Sequence, residues 1–415
     1  MRLNLERELF LKSWQSVERV AIPKSPVNAA SGILISADEM GRVTLEATDS
    51  KTTSVKCTAQ GVEVQEAGLG LIPVTIVGSL LKKSTSKLTT LEITNERGVI
   101  SSGRNKTKFS VIAPSEFPQI PKSDNAEFFC EMVLSDFMKL SVEGSSASSS
   151  PQDFPKYLGT CLLRNKDGVL KFVSTDGKRL SISELACNTG NERDVMLPAA
   201  DLKDLARILT SEDLSQKIII TSDGATAWFK VDEIEFSIRQ IDTTFPTYEK
   251  ILNDTVMASM IISRSDLSAA LDRVDVIAKN NTAHIVAFTL NPNDELQIIA
   301  RAPELGTTTE FVQANISGEF MRVGFNASYL QDGLRALGQG DIKIEFSDPE
   351  GQARLYRNND DSFLYMLMPA RLTPQDYMDD DNLSSEYENN EVQNEFNNNE
   401  QDQNQDQNQN NNGEF

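Results

Sequence analysis

The chain repeats one unit at a step of about 127 residues, and this repeat constrains the fold more than any other feature. Phe109, Phe236 and Phe363 follow one another at intervals of 127 residues, each at the head of a predicted last strand. The same interval separates Asp49 from Asp176, and both aspartates stand in predicted turns. Because independent features share one period, the sequence predicts three copies of one domain in series.

The period also recurs in the helices. One amphipathic helix of each copy opens on a residue suited to a helix start, at Pro73, Pro198 and Asn326. A cation follows nine residues after each start, at Lys82, Arg207 and Arg335. A second helix is predicted at residues 1–22, 134–142 and 266–278, with Lys12 and Lys139 at corresponding positions of the first two.

These patterns predict an α+β fold with three similar domains at residues 1–122, 123–254 and 255–372. Each domain has two helices and about eight short antiparallel strands, and spare strand edges favour joining neighbouring units edge to edge. The helices are expected on an inner face and the sheets on an outer face. A second chain related by two-fold symmetry would then complete a closed ring, of which one chain is half.

The sequence makes specific predictions for the local structure of two segments. Residues 172–182 read as a hairpin that turns at Asp176-Gly177. Residues 144–151 are rich in serine and predict a flexible surface loop.

Composition is typical of a globular protein, with 39% hydrophobic and 24% charged residues in 415. No apolar run approaches bilayer length, and residues 1–8 lack the apolar core of a secretory signal, so we expect a cytoplasmic protein without a membrane partner. The four cysteines are scattered and predict reduced thiols rather than a metal site: Cys57, Cys130, Cys161 and Cys187.

The composition changes after Leu372. Residues 373–415 hold 12 acidic side chains, no lysine or arginine, and many asparagines and glutamines, which predicts a disordered acidic tail. The tail supplies 12 of the formal −21 charges, so residues 1–372 carry only −9.

The three repeated helix cations, Lys82, Arg207 and Arg335, would lie along one concave surface. Sparse cations inside an otherwise acidic ring indicate an enclosed polyanion that is held weakly and can slide. The alternative interpretation treats each cation as part of a solvated helix face.

Enzymatic interpretations find little support. No nucleophile elbow, P-loop or zinc-protease motif occurs, and the only histidine, His284, lies in a predicted apolar strand where a structural role is expected. We therefore predict no catalytic residues, no metal and no cofactor. A sequence-specific or architectural DNA binder is the main rival, disfavoured by the lack of a recognition helix rich in arginine and asparagine. A glycan- or nucleotide-processing enzyme ranks third.

Several motifs resemble the bacterial DNA polymerase III beta subunit, the replicative sliding clamp. They are Ser102–Phe109, Ser174–Leu180, Phe245–Tyr248, Gly324–Leu330 and Tyr365–Leu372, and the resemblance runs in register from Met1 to Leu372. It implies a ring-shaped homodimer with three similar domains per chain. It also implies a non-catalytic processivity factor in DNA replication, which a clamp loader places on double-stranded DNA without sequence specificity and which tethers the replicative polymerase.

The resemblance further implies a pocket between the second and third domains for a partner peptide with a glutamine and a Leu-Phe-like end. Its walls would be Leu158, Thr175, Gly177, Lys178, Arg179, Leu180, Pro246, Lys250, Ile251, Asn326, Tyr329, Met366, Leu367, Met368, Pro369, Ala370, Arg371 and Leu372. Without the resemblance, Met366 to Met368 read as an ordinary core strand. Lys178 stands where the family often has histidine and Thr282 where an aromatic wall is usual, so peptide specificity is expected to differ.

Further residues are carried over from the resemblance. DNA contacts are expected at Lys24, Gln152, Lys156 and Tyr157, beside the helix cations Lys12, Lys82, Lys139, Arg207 and Arg335. The first two domains lack the family's usual basic residues at a helix start, which predicts a weaker basic lining; the positions are Thr75, Ile76, Ala199 and Ala200. The dimer interface would pair Phe109 and Val111 with Val276 and Ile277 of a second chain.

Overall fold

The computed structural model describes residues 1–23, 27–94, 96–210, 212–252, 255–281, 283–291 and 293–377. It divides into two compact units. The first comprises residues 1–248 together with 362–365, and the second residues 249–361 and the described residues from 366 onward. Each unit is built from antiparallel strands and a few helices. Among the described helices, none combines the length and apolarity that a membrane span requires.

The first unit contains four helices, α1 (Arg7–Glu18), α2 (Val74–Lys83), α3 (Leu134–Gly144) and α4 (Ala199–Leu209). Its strands up to residue 110 are β1 (Arg2–Glu6), β2 (Gly32–Ala37), β3 (Val43–Thr48), β4 (Thr53–Thr58), β5 (Val62–Glu66), β6 (Gly68–Pro73), β7 (Leu88–Ile93), β8 (Arg97–Ser102) and β9 (Asn105–Ser110). Those after residue 126 are β10 (Glu127–Val133), β11 (Thr160–Lys166), β12 (Val169–Thr175), β13 (Arg179–Ala186), β14 (Asn188–Thr189), β15 (Arg193–Pro198), β16 (Lys217–Ser222), β17 (Thr226–Val231) and β18 (Ile234–Arg239).

The strands of the first unit form three ordered sets. They run β5-β1-β7-β8-β9, then β14-β10-β16-β17-β18-β4-β3-β2-β6, and finally β15-β11-β12-β13. The pairing of β4 with β18 joins two copies of the repeat edge to edge, as the spare edges predict. One hydrophobic core runs beneath both copies, with Phe10 and Trp14 from α1 and Phe137 from α3 among its fully buried side chains.

The second unit contains α5 (Arg264–Ala278) and α6 (Ala327–Leu337). Its strands are β19 (Ala258–Ser263), β20 (Ile285–Asn291), β21 (Glu295–Ala302), β22 (Gly306–Gly318), β23 (Met321–Asn326), β24 (Asp341–Phe346) and β25 (Ala353–Arg357). They are ordered β25-β24-β19-β22-β21-β20-β23. Strand β26 (Asp360–Leu367) is divided between the two units. The rings of Phe288, Phe325 and Phe346 pack against one another in the core of the second unit.

The predicted helix starts are confirmed. Pro73 and Pro198 are the N-cap residues of α2 and α4, and the Asn326 side chain accepts a hydrogen bond from the backbone N–H of Tyr329 at the start of α6. Ser263 caps α5 by accepting from the N–H of Asp266. The repeat therefore predicts helix positions well because each start carries a local signal, either the restricted φ of a proline at Pro73 and Pro198 or a capping side chain at Asn326.

Two local predictions are wrong. Residues 2–6 form β1 rather than the start of a helix, because Leu3 and Leu5 alternate into the core while the backbone pairs with β5 and β7. Residues 144–151 are not an exposed flexible loop: Gly144, Ser145 and Ala147 are buried. Their polar groups find partners: Ser181 Oγ of β13 donates to the Gly144 carbonyl at 2.9 Å, and Ser146 Oγ donates to the Glu143 carbonyl at 2.7 Å.

The placement of His284 in a strand is also wrong. His284 directly precedes β20 and has a φ of +54°. Its Nε2 contacts Asp275 Oδ1 near the end of α5, and its Nδ1 lies 2.9 Å from Ser328 Oγ at the start of α6. The backbone N–H of Ala327 donates to the His284 carbonyl at 2.9 Å. These bonds tie the α5–β20 connection to α6, which gives the histidine a structural role.

All four cysteines are free thiols, but their environments differ. Burial raises the pKa of Cys57 and of Cys161 to about 12, and burial also raises the pKa of Cys130 well above its usual range. A hydrogen bond with the Cys130 side chain lowers the pKa of the half-buried Cys187. Since the thiolate is the nucleophile, Cys187 should be the reactive cysteine.

We therefore expect iodoacetamide at pH 8 to alkylate Cys187 roughly tenfold or more faster than the other three thiols, because only its pKa is lowered. Peptide mapping by mass spectrometry over a time course measures this order. A Cys187→Ser variant should label slowly at every remaining position. Labelling of Cys57 or Cys161 at the same rate as Cys187 in folded protein would contradict the assignment.

Candidate functional site

The hairpin between β12 and β13 is fixed by its own turn. Asp176 Oδ1 accepts hydrogen bonds from the backbone N–H groups of Lys178 and Arg179 at 2.9 and 3.1 Å. Gly177 has a φ of +87°, which a residue without a Cβ adopts readily. Asp176 Oδ2 lies 2.8 Å from Arg179 Nε, with both side chains only 8% exposed. The predicted turn is confirmed, and its sequence places Arg179 in a single buried geometry.

Asp49 performs the same task in the preceding copy. Its Oδ1 accepts from the N–H groups of Lys51, Thr52 and Thr53 at 2.8 to 3.0 Å. A carboxylate that is saturated by backbone donors in this way caps a turn. The shared geometry of Asp49 and Asp176 thus reflects the repeat rather than an acidic catalytic pair.

The residues expected to line the partner pocket fall in both units. In the first unit, Thr175, Arg179 and Leu180 are buried, whereas Gly177, Lys178 and Pro246 are exposed and Leu158 is half-buried. Arg179 Nη1 donates to the Tyr365 hydroxyl at 3.0 Å. The buried members support the hairpin, so the surface available to a ligand here is formed by its exposed members.

In the second unit, the expected pocket residues come from the end of β26 and the segment after it, from the start of α6, and from the turn at residues 248–251. Met366 and Leu367 are buried in the strand, and Met368 is 43% exposed. Lys250, Ile251 and Arg371 are exposed, while Tyr329, Pro369, Ala370 and Leu372 are half-buried. Asn326 is occupied by capping α6 and by donating to the Ala283 carbonyl at 3.0 Å. Thr282 lies outside the described residues.

A cleft of about 650 Å³ opens beside the segment that follows β26. Pro369 and Ala370 line it together with Arg371 and Leu372, and Pro349 and Glu350 also line it. The backbone N–H of Ala370 donates to the Gly324 carbonyl at 2.8 Å, which holds this segment against β23. A Cβ on Gly324 would lie 2.5 Å from the Ala370 oxygen, so glycine permits the close approach.

The structure describes five residues past Leu372, and they form a defined turn, which differs from the disorder predicted from residue 373 onward. Thr373 Oγ1 and the Thr373 N–H both donate to Asp376 Oδ2 at 2.7 Å, and residues 374–376 form one 3-10 turn. The ring of Tyr377 then lies over the guanidinium of Arg322, 3.9 Å from its carbon to the ring centroid. The remainder of the predicted tail, residues 378–415, lies outside the described residues.

The repeated helix cations all stand in the last turn of their helices, as the period predicts. Each contacts a carboxylate: Lys82 with Glu18 at 2.5 Å, Arg207 with Asp204 at 2.7 Å, and Arg335 with Asp332. The paired acids reduce the positive potential that these cations project, since a cation already paired attracts a phosphate less strongly.

The other expected DNA contacts vary in environment. Lys12 pairs with Glu212 at 3.2 Å, and Lys139 donates to Ser362 Oγ at 3.4 Å. Gln152 and Lys156 are exposed, and the ring of Tyr157 packs edge-on against Phe245. Lys24 lies outside the described residues. Ala199 is buried, Ile76 half-buried, and Thr75 and Ala200 exposed, so these helix starts add no charge.

The residues expected at a dimer interface include a strand at the edge of a sheet, β9, and an exposed apolar side chain, Val276. Strand β9 is the last strand of its sheet in the described order, so its outer edge is free of a described partner. Phe109 in β9 turns inward and covers Gly98, and Val111 is half-buried. On the second unit, Val276 is 58% exposed and Ile277 half-buried.

No group of three or more histidine, cysteine or acidic side chains suited to hold a metal occurs among the residues that the structure describes. The hydrogen-bonded side chains of Asp275, His284 and Ser328 are of the residue types found in a nucleophilic triad. All three residues, however, take part in fixing α5 to α6. We therefore assign these three side chains a structural role.

Comparison with known proteins matches almost the whole folded part of the chain. Three successive domain profiles of one family fit it: DNA polymerase III beta subunit N-terminal domain at residues 1–121, central domain at 133–247 and C-terminal domain at 250–371. The beta sliding clamp of Pseudomonas aeruginosa is 25% identical over 375 residues, covering 90% of this chain and all of the relative. That of Staphylococcus epidermidis is 25% identical over 384 residues, covering 89% and 99%.

Solved structures agree. The crystal structure of the DNA polymerase III subunit beta from P. aeruginosa superposes with a TM-score of 0.82 at 25% identity, covering 89% of this chain and 100% of the other. The sliding clamp from Bacillus subtilis, at 20% identity and with 90% and 100% covered, gives a TM-score of 0.83 and supports the fold. These matches confirm the three clamp domains and the α+β class. The chain belongs to the family of bacterial DNA polymerase III beta subunits, the sliding clamps.

Proposed function

We propose that this protein is a DNA sliding clamp: a non-catalytic processivity factor that encircles duplex DNA and tethers the replicative polymerase. The observation that carries the proposal is the succession of three clamp-family domains through residues 1–371. The proposal keeps domain boundaries at 1–122, 123–254 and 255–372. It places the protein in the cytoplasm, with loading by a clamp loader.

The proposed ring is a homodimer formed by two copies of this chain. Strand β9 offers an unoccupied edge within the described sheet, and exposed Val276 and half-buried Ile277 offer apolar surface on the second unit. An edge strand paired with another chain, surrounded by apolar contacts, is a recurrent way to close an oligomer. Two-fold symmetry would use the same pair of surfaces twice.

The proposal assigns DNA contacts to the helix cations and to the Gln152 to Tyr157 segment, and partner binding to the expected pocket residues. The support for the pocket is local: a hairpin fixed by Asp176, an exposed Met368, and a cleft beside residues 369–372. Methionine adapts to varied apolar anchors, which suits a site that serves several partner peptides.

If the homodimer is correct, sedimentation equilibrium should give twice the chain mass of 45.9 kDa. A Val276→Glu substitution should raise the dimer dissociation constant by roughly tenfold or more, because it introduces a charge into an apolar contact. Val142→Glu, at another exposed valine outside the proposed interface, is the matched control. A wild-type protein that remains monomeric at micromolar concentration would refute the ring.

If paired acids weaken DNA attraction, then the double substitution Glu18→Gln and Asp332→Asn should tighten binding to duplex DNA by a few-fold in low salt. The substitutions free Lys82 and Arg335 for phosphate contact. Fluorescence anisotropy with a labelled duplex, repeated over a salt series, measures the affinity and its salt slope.

The control for net charge removes two carboxylates elsewhere, at the exposed Glu39 and Glu96. Equal tightening by Glu39→Gln with Glu96→Gln would show that total charge, rather than the specific ion pairs, sets the affinity.

Shortening Met368 should weaken partner-peptide binding. We expect Met368→Ala to raise the dissociation constant of a fluorescein-labelled Gln-Leu-Phe-type peptide about tenfold, because an exposed apolar contact is lost. Met40→Ala is the matched control, since Met40 is 95% exposed in the turn between β2 and β3. Equal affinities in wild type and Met368→Ala would remove Met368 from the pocket.

A further inference from the structure

Arg322 is held in place on three sides. Its Nε donates to Thr289 Oγ1 at 3.2 Å, the Tyr377 ring covers its face at 3.9 Å, and the Phe320 ring lies 5.9 Å away. A guanidinium fixed at Nε and stacked on one face retains the donors of its two terminal nitrogens. No acid among the described residues forms an ion pair with it.

Arg322 and Tyr377 both line the cleft of about 650 Å³ beside residues 369–372. Arg371, at the same cleft, is exposed and likewise has no carboxylate partner within the described part of the chain. The remaining lining is largely apolar or small, at Pro349, Pro369, Ala370 and Leu372, with one acid at Glu350. The cleft therefore combines a fixed guanidinium fork with several apolar side chains.

The chemistry that fits such a fork is a carboxylate. Planar guanidinium groups bind carboxylates through two parallel hydrogen bonds, and prior fixing of the fork reduces the entropy lost on binding. We propose that Arg322, held by Tyr377, forms a carboxylate subsite that selects partner peptides carrying an acidic residue beside their apolar anchor. This inference rests on the proposed peptide-binding function and deepens it.

Tyr377 contributes to the subsite from outside the matched clamp domains. It lies beyond residues 250–371, the part that the C-terminal clamp domain profile matches. The capping box of Thr373 and Asp376 fixes the turn that delivers the ring onto Arg322. Tyr377 is thus a positioning residue for Arg322, and it lines the cleft from beyond the matched clamp domain.

The occupant of the subsite is a partner protein's peptide rather than this chain's own acidic tail. The cleft lies beside Pro369 to Leu372, residues of the proposed partner pocket, so an extended peptide anchored by its apolar end can place a neighbouring side chain there.

The test uses amidated, fluorescein-labelled peptides of the Gln-Leu-Phe type with Glu placed one or two residues before or after the apolar end, each compared with its Gln counterpart. Anisotropy in low salt gives the affinity ratio for the full-length protein. The best-placed Glu peptide should bind about tenfold more tightly than its Gln partner, as expected for a charge-assisted hydrogen-bond pair.

The ratio of Glu-peptide to Gln-peptide affinity should fall to near one in Arg322→Gln and decrease several-fold in Tyr377→Ala. The Tyr377→Phe variant keeps the stacked ring and should preserve the ratio. Arg97→Gln, an exposed arginine of the first unit, controls for the loss of one positive charge. Truncation after Tyr377 should keep the ratio, and truncation after Leu372 should reduce it as Tyr377→Ala does.

Equal binding of every Glu and Gln pair by wild type, with the peptides themselves bound, would overturn the subsite while leaving the pocket intact. No binding of any peptide by a correctly assembled dimer would instead overturn the proposed pocket. If the full-length protein bound Glu and Gln peptides equally and a preference for Glu appeared only after residues 378–415 were removed, the tail would be the ligand of the Arg322 guanidinium. That result would overturn the assignment of the subsite to a partner peptide.

Discussion

The antiparallel pairing of β4 with β18 is the contact on which the first unit depends. Five residue pairs, from Ile234 opposite Cys57 to Ile238 opposite Thr53, join strands that are far apart in sequence into one nine-stranded sheet. The hydroxyls of Ser54 and Ser237 form a buried hydrogen bond of 2.6 Å across the seam. Pairing consumes two edges that would otherwise be open to aggregation, and it allows one core to continue beneath both copies of the repeat.

The repeat preserves chemistry at corresponding positions but not the partners that complete it. Asp49 and Asp176 both saturate their turns with backbone donors, yet only Asp176 also binds a buried arginine. Removing one member of such a buried pair typically costs about 3–5 kcal/mol because the other charge is left unpaired. The Asp176–Arg179 pair therefore fixes the hairpin of the second copy, where the proposed function needs a rigid wall.

The helix cations show the same divergence. Lys82 is paired by an acid from another helix, α1, whereas Arg207 and Arg335 are paired by acids one turn earlier in their own helices. Exposed pairs of this kind contribute little to stability, about 0 to 1 kcal/mol each, so their main physical effect is on the field around them. A protein that holds DNA by topology can keep that field weak, because strong phosphate contacts would slow sliding.

Much of the fold could be predicted from the sequence because the decisive signals are local and repeated. Helix starts are indicated by Pro73, Pro198 and Asn326, and a turn is indicated by Asp176-Gly177. These signals do not depend on the surrounding structure. The errors arise where tertiary pairing prevails. Leu5 fits a helical stripe that continues through Leu9 and Trp14, but pairing with β5 and β7 places residues 2–6 in a strand, where Leu3 and Leu5 share one face. The sequence predicts exposed serines at residues 144–151, but hydrogen bonds such as that from Ser146 Oγ to the Glu143 carbonyl satisfy their hydroxyls within the packed segment.

The candidate site was less predictable because its parts are joined by contacts between distant residues. Composition alone assigned everything after Leu372 to a disordered tail, although Thr373, Pro374 and Asp376 together carry a readable capping signal. No sequence rule, however, links Tyr377 to Arg322, which lies 55 positions earlier. The stack matters because an exposed arginine samples many rotamers, whereas one fixed at Nε and covered on one face presents its remaining donors in a single direction. A short ordered extension can thus change what a clamp pocket recognises without altering any strand or helix of the clamp fold.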